Sequence, residues 1–405
     1  MPRFSSDLPL PGPRAHGDPL VEAELRRWIR ARGRITFAQF MAIALYLVGG
    51  GYYEAHVELG RSGDFLTSPE THPAFGALLA RLVHAFWRAL GAPDPFHVIE
   101  YGAGTGSLCR QILDAAPHVD PALDRVLRYA IVETSAYLRA TQQATLLDRT
   151  DRVTWVHPGH RAELPFGCVL ANEVVDALPV HRVKLEQGKL RELYVTMSAD
   201  RFLETSGDPS VPELEGHFRR LNLWPPEGAV VEVCLQSDEW LADAAGRLTS
   251  GYLVTIDHGG SARDLVARAT PRGGLKCFSR HGWTEDPYDR PGLQDITAPV
   301  DFTNLALIGG PLGLETALET SQGELLRFLG IESLRKRLEA LDLPVLERQR
   351  NLRALASLAD PQGLGAFRVL VQQKHASSFA LTAEDVETTL WGPLLPGEPV
   401  EWPQP

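Results

Sequence analysis

Between His97 and Leu113 a short apolar run gives way to Gly102-Ala103-Gly104-Thr105-Gly106 and then to helical spacing. A strand that ends on alternating glycines and restarts at once as a helix is a strand–turn–helix unit, so this stretch commits the chain to an α/β architecture. Glycine is needed in such a turn where a side chain would block close approach of the backbone to a ligand, and where φ becomes positive. The N–H groups at the start of the following helix then face the opening and favour an anion such as a carboxylate. A dinucleotide fingerprint requires a glycine three positions after Gly104, where Ser107 stands, so that pattern is not met.

What is met is an acidic residue, Glu100, two positions ahead of Gly102-x-Gly104-x-Gly106, the arrangement with which many methyltransferases hold S-adenosylmethionine. Alone, the turn is equally compatible with a plain structural turn or with another nucleotide site. The next strand narrows the choice. Tyr129-Ala130-Ile131-Val132 reads as a second buried strand ending on Glu133, about thirty residues beyond the first, which suits one strand–helix–strand unit. A carboxylate at that tip accepts both hydroxyl hydrogens of a ribose; the plain alternative is a solvated glutamate at a strand end. A third apolar run, Cys168 to Ala171, ends on Asn172-Glu173. Three polar strand tips converging on one crevice is the ligand-binding arrangement of open α/β sheets.

The rest of the chain sets bounds. It has 405 residues and a formal net charge of −11, enough length for an ample core and the wrong charge for a general nucleic-acid binder. Cys109, Cys168, Cys234 and Cys277 are widely spaced, which suggests neither a zinc cluster nor a disulfide framework; no metal is expected, and a reducing cytoplasm fits. Residues 1–19 are rich in proline and polar groups, without the apolar core of a secretory signal, and read as a loose arm. The apolar stretch Phe37 to Val48 is too short to span a bilayer, so no membrane insertion is expected.

Residues 20–90 have helical periodicity with a loop between Gly49 and Glu70, and form a helical N-terminal element with a lid loop. The sheet domain is expected over 91–375, with strands ending at Glu133, Val156 and Glu173. An insertion at about 178–228 includes a hairpin, Val180 to Met197, that turns at Gly188. Val230 to Leu235 reads as a strand, and Tyr252 to Ile256 as a buried strand ending on Asp257-His258-Gly259-Gly260. Helical segments follow around Phe302, Gly323 and Ile331, then a last apolar strand, Phe367 to Val371, and an irregular tail over 376–405. The expected fold is α/β, a doubly wound and mainly parallel Rossmann-like sheet with a helical N-terminal element and an inserted hairpin.

Assembled, these residues resemble the MidA family of class I methyltransferases. The likeness rests on Phe40-Met41, Ala44-Leu45-Tyr46, Gly51-Tyr52-Tyr53, Gly63 to Glu70, Glu100 to Gly106, Ile131 to Glu133, and Asn172-Glu173 with Asp176 to Val180. It continues through Asp295 to Thr297, Val300 to Phe302, Thr320 to Gly323 and Phe367 to Leu370. The resemblance implies S-adenosyl-L-methionine as cofactor, and as partner a protein substrate methylated on arginine, in the mitochondrial members a core subunit of respiratory complex I. Two departures border the expected acceptor site. Asp257-His258-Gly259 stands where relatives read Asp-Tyr-Gly, and Val174-Val175 replaces an aromatic pair.

Methyl transfer from a sulfonium is an in-line displacement, so the protein's task is to align donor and acceptor in a water-poor pocket. An arginine is always protonated in water, and its site needs carboxylates that orient the guanidinium and take a proton. Glu173, Asp176 and Glu70 are the candidates, with His258 as a base near neutral pH or merely a satisfied polar residue. Asp176 reads equally as a helix N-cap. On the donor side stand Glu100, Gly102, Gly104, Gly106 and Glu133. Asn172 joins them as a bridge to the donor's amino-acid moiety, or else closes a turn. The resemblance adds Asp64 and Thr67 as lid residues, whose plain reading is turn chemistry. Two other functions stay open: methylation of a small metabolite or lipid, and a non-catalytic assembly chaperone on the same fold.

Overall fold

The computed structural model describes residues 17–57, 67–159, 164–279 and 282–380. Asp64 and the rest of Gly63 to Leu66, the arm through residue 16, and the tail from residue 381 lie outside the described residues.

Seven strands make the central sheet: β1 (Phe96–Tyr101), β2 (Leu127–Val132), β3 (Val153–Val156), β4 (Leu164–Asn172), β5 (Leu248–Asp257), β6 (Glu315–Ser321) and β7 (Arg368–Lys374). Their order is β6-β7-β5-β4-β1-β2-β3. The pairs from β5 through β4, β1 and β2 to β3 are parallel, while β7 runs antiparallel to both β5 and β6. The chain winds outward from β1 to one side and then restarts at β4 on the other. The carboxyl ends of β1 and β4 therefore flank the point where strand order reverses, and a crevice opens there.

Strands buried on both faces account for the unbroken apolar runs in the sequence. Val98 of β1 packs into one core cluster, and its neighbour Ile99 packs into the cluster on the opposite face. Five helices matter to the site: α1 (Pro19–Arg32), α2 (Phe37–Tyr46), α3 (Ala74–Ala89), α4 (Ser107–Val119) and α5 (Ala136–Thr145). α2 starts where it does because Thr36 and Gln39 form a reciprocal capping box. The apolar faces of α1 and α2 meet Val195, Phe202, Cys277 and Ile296 in a cluster of their own. α3, by contrast, buries Phe75, Leu78 and Leu82 with Ile112 of α4 in the core of the main sheet. Helical periodicity alone did not separate these two groups.

The hairpin expected at Val180 to Met197 is the middle of a second, five-stranded antiparallel sheet. Strands His181–Glu186 and Lys189–Ser198 pair with each other; Arg201–Gly207 and Ile35–Thr36 add to the second of them. Val230–Val233 is a strand as expected, and it pairs with His181–Glu186. The second sheet thus continues past residue 228 and is tied to the N-terminal helices through Ile35–Thr36. Among the described residues no helix is long and apolar enough to cross a membrane.

Candidate active site

The glycine turn connects β1 to α4. Gly102, Gly104 and Gly106 all have positive φ, at 59°, 53° and 87°. A Cβ on Gly102 would sit 3.0 Å from a methyl of Val174, so that position is closed to side chains both by conformation and by space. Gly106 is the N-cap of α4 and offers no side-chain cap, which leaves the first N–H groups of the helix open toward the crevice. Glu100 lies one step back, inside the sheet. Its Oε2 accepts the hydroxyl of Tyr129 at 2.7 Å, and burial, with Glu133 nearby, pushes its carboxyl up to about 7.

At the tip of β2 the Glu133 carboxylate accepts the amide of Ser135 and the Nε2 of Gln142, each at 2.9 Å. Burial raises its pKa above the ordinary range despite these bonds. The same Gln142 nitrogen donates to the carbonyl of Gly104 at 3.0 Å, and Gln142 Oε1 accepts from Trp155. Gln142 is thus the tie that holds the glycine turn and Glu133 in register, and it was not singled out from the sequence. The available signal was a polar residue four positions after Leu138 on the buried face of α5.

Glu173 directly follows β4. Its φ of 55° turns the chain sharply, a conformation that costs a non-glycine residue about 1 kcal/mol and persists only where the surroundings enforce it. Its Oε1 accepts the amide of Ser68 at 3.1 Å and the Nδ2 of Asn172 at 3.0 Å. Burial, reinforced by Asp176 and Asp257, lifts its carboxyl to about 8. Asn172 Oδ1 is buried without a protein partner. Thr67 is the N-cap of the short helix Ser68–Thr71 but makes no side-chain cap bond. Glu70, expected with the acceptor-side carboxylates, instead accepts the Thr105 hydroxyl at the glycine turn.

Asp257 at the end of β5 shapes the turn after β4. Its Oδ2 accepts three successive amides, Val174 at 3.1 Å, Val175 at 2.9 Å and Asp176 at 3.2 Å, and its Oδ1 accepts the amide of His258. Burial and Asp176 nevertheless bring its carboxyl up to about 6. Asp176 caps no helix: a tight turn follows, its carbonyl accepts from Ala298, and its carboxylate lies 3.3 Å from His258 Nδ1. Burial opposes charge on the His258 ring, but the bonds to Asp176 and Asp257 outweigh it and lift the ring to about 9. These bonds favour the imidazolium form of His258, while its Nε2 is buried without a hydrogen-bond partner. Asp176, Asp257 and His258 could geometrically surround a metal ion, yet both oxygens of Asp257 are already spent on backbone N–H groups.

Glu100, the three glycines, Glu133, Asn172, Glu173, Asp176 and His258 are thus gathered along the carboxyl ends of β1, β2, β4 and β5. Two features fit S-adenosylmethionine: the uncapped start of α4 suits a carboxylate, and the orphan Oδ1 of Asn172 is free to accept from an ammonium. When bound, that cofactor supplies an electrophilic methyl on a sulfonium.

Comparison with known proteins agrees with this reading. A family model described as an S-adenosyl-L-methionine-dependent methyltransferase matches residues 78–320. A Burkholderia thailandensis protein, crystallised with S-adenosyl-homocysteine, shares 30% identity and superposes with a TM-score of 0.78 over 92% of this chain and 96% of that one. The Drosophila melanogaster mitochondrial protein named as a protein arginine methyltransferase NDUFAF7 homolog is 28% identical over 86% of this chain and 83% of its own. Human NDUFAF7, also named a mitochondrial protein arginine methyltransferase, is 27% identical over 83% and 79%. The chain belongs to this MidA-like family of S-adenosyl-L-methionine-dependent methyltransferases.

Proposed function

We propose that this methyltransferase acts on an arginine side chain of a protein, with Glu173 and Asp176 receiving the guanidinium. The observation that carries the reading is the cluster at the end of β4, where Glu173 is desolvated to a pKa of about 8 beside Asp176. Such a carboxyl is held largely protonated in the empty site; a guanidinium entering beside it favours its ionised form, which then accepts the proton the nitrogen loses on methylation. The naming of the animal relatives as protein arginine methyltransferases supports the same acceptor.

In this reading the start of α4, at Gly106, takes the donor's carboxylate, Asn172 its ammonium and Glu133 its ribose hydroxyls. Gly102 and Gly104 let the backbone approach, and Glu100 and Glu70 hold the turn from behind and from the side. Thr67 flanks the donor, and Asp64, outside the described residues, keeps the cofactor-binding role that the family resemblance implies. His258, paired with Asp176, orients that carboxylate and balances its charge. The compartment is the cytoplasm, and the substrate is a subunit of a respiratory complex. The unpaired state of all four cysteines suits that compartment.

The test is incubation of the purified protein with methyl-labelled S-adenosylmethionine and cell extract. Label on a peptide arginine, lost with Glu173→Gln, is expected. Label confined to small molecules or lipids would overturn the acceptor assignment.

A further inference from the structure

The N-terminal helices contribute two tyrosines to the crevice, and both have their polar ends tied down. Tyr46, the last residue of α2, donates to the carbonyl of Ala177 at 2.8 Å, next to Asp176. Tyr53, in the π-helical turn Tyr52–His56, donates to Asp295 Oδ1 at 2.9 Å. The Tyr53 carbonyl accepts the hydroxyl of Ser135 at 2.8 Å, and the amide of Ser135 is the one that binds Glu133. The two rings are stacked, with centroids 5.6 Å apart and planes 19° from parallel. The pair therefore bridges the tip of β2, beside Glu133, and the turn after β4, beside Asp176. Both residues keep part of their surface exposed.

Burial and the charges of Asp295 and Asp176 push both phenols well above their ordinary range, so they stay neutral. A neutral aromatic ring presents a negative face, and that face attracts a cation.

We propose that the Tyr46–Tyr53 pair is the cation-reading wall of this crevice and receives the sulfonium of the methyl donor. The inference rests on the placement of ribose at Glu133 and acceptor at Asp176 given above. The sulfonium must lie between those two ends, and that is the interval the pair spans. Charge is also what separates donor from product. Transfer forms an N–CH3 bond and breaks S–CH3, the electron pair of the broken bond stays on sulfur as a neutral thioether, and the displaced proton passes from nitrogen to a carboxylate. A wall that reads positive charge holds S-adenosylmethionine and releases S-adenosylhomocysteine.

Calorimetric titration of wild type, Tyr46→Leu and Tyr53→Leu with both compounds tests this. The leucine variants are expected to lose about five- to thirtyfold in affinity for S-adenosylmethionine and less than about twofold for S-adenosylhomocysteine. Tyr53→Phe, which keeps the ring, retains the wild-type ratio. Should a leucine variant fail to fold, a series of fluorinated phenylalanines at position 53 preserves shape while draining the ring face. Affinity for the sulfonium alone then falls stepwise with fluorination. Equal losses for both compounds, or no trend with fluorination, would overturn the inference while leaving the donor site standing. Wild type that binds neither compound would instead remove the site assignments on which it rests.

Discussion

One carboxylate oxygen of Asp257 lies 3.2 Å from the backbone nitrogen of Asp176, and it accepts the two preceding amides as well. A buried side chain at the end of β5 thus dictates the path of the chain leaving β4, and with it the aim of Glu173 and Asp176.

Asp257→Ala leaves those three N–H groups without their acceptor. A loss of about 3 kcal/mol of stability is expected by chemical denaturation, together with loss of methyl transfer. A variant of wild-type stability and activity would show that the turn does not need this carboxylate.

Gln142→Leu cuts the link between Gly104 and Glu133 while keeping an apolar face on α5. Affinity for S-adenosylhomocysteine is expected to fall about tenfold by calorimetry, by analogy with other supporting-shell losses. Glu133→Ala should weaken binding at least as much with the fold intact, by circular dichroism. Unchanged affinity in the Glu133 variant would withdraw its ribose role.

Burial holds the Glu173 carboxyl at about 8 in the folded chain, against an ordinary value of 4.5. Between these values the unfolded chain is ionised and the folded one is not, so this group lowers stability progressively as pH rises from about 4.5 to 8. Glu173→Gln keeps an oxygen for Ser68 and Asn172 and removes that penalty. The variant should melt above wild type at pH 8 to 9, with the gap closing toward pH 4.5; a gap independent of pH would contradict the assigned shift.

His258 shows linkage of the same sign, but as a favourable contribution that is lost rather than a penalty that grows. Its folded pKa of about 9, raised by the bonds to Asp176 and Asp257, exceeds the ordinary 6.5, so its contribution is full below about 6.5 and is lost as pH rises through 9. Nitrogen-detected magnetic resonance of the ring should report an imidazolium at pH 7.5, whereas a neutral ring there would break the pairing with Asp176.

The strands that build the crevice were legible because parallel, doubly buried strands carry unbroken apolar runs that end abruptly on polar residues such as Glu133 and Asn172. β6 was not, because Glu315–Ser321 is an edge strand, largely exposed and polar, without the alternation that marks a half-buried one. Arg201–Gly207 escaped for the same reason. The placement of the glycines and carboxylates at the strand tips follows from local chemistry and could be read directly. Those whose role is to hold others could not. Gln142, Tyr46, Tyr53 and Asp257 act through partners far away in sequence, and the position of Glu70 against Thr105 depends on how two distant segments meet.

The most direct test of the whole account is a crystal structure of the protein with S-adenosylhomocysteine. The amino-acid carboxylate is expected at the start of α4, the ammonium on Asn172 Oδ1, the ribose hydroxyls on Glu133 and the sulfur facing Tyr46 and Tyr53. Ligand bound elsewhere, or with its ribose away from Glu133, would contradict it.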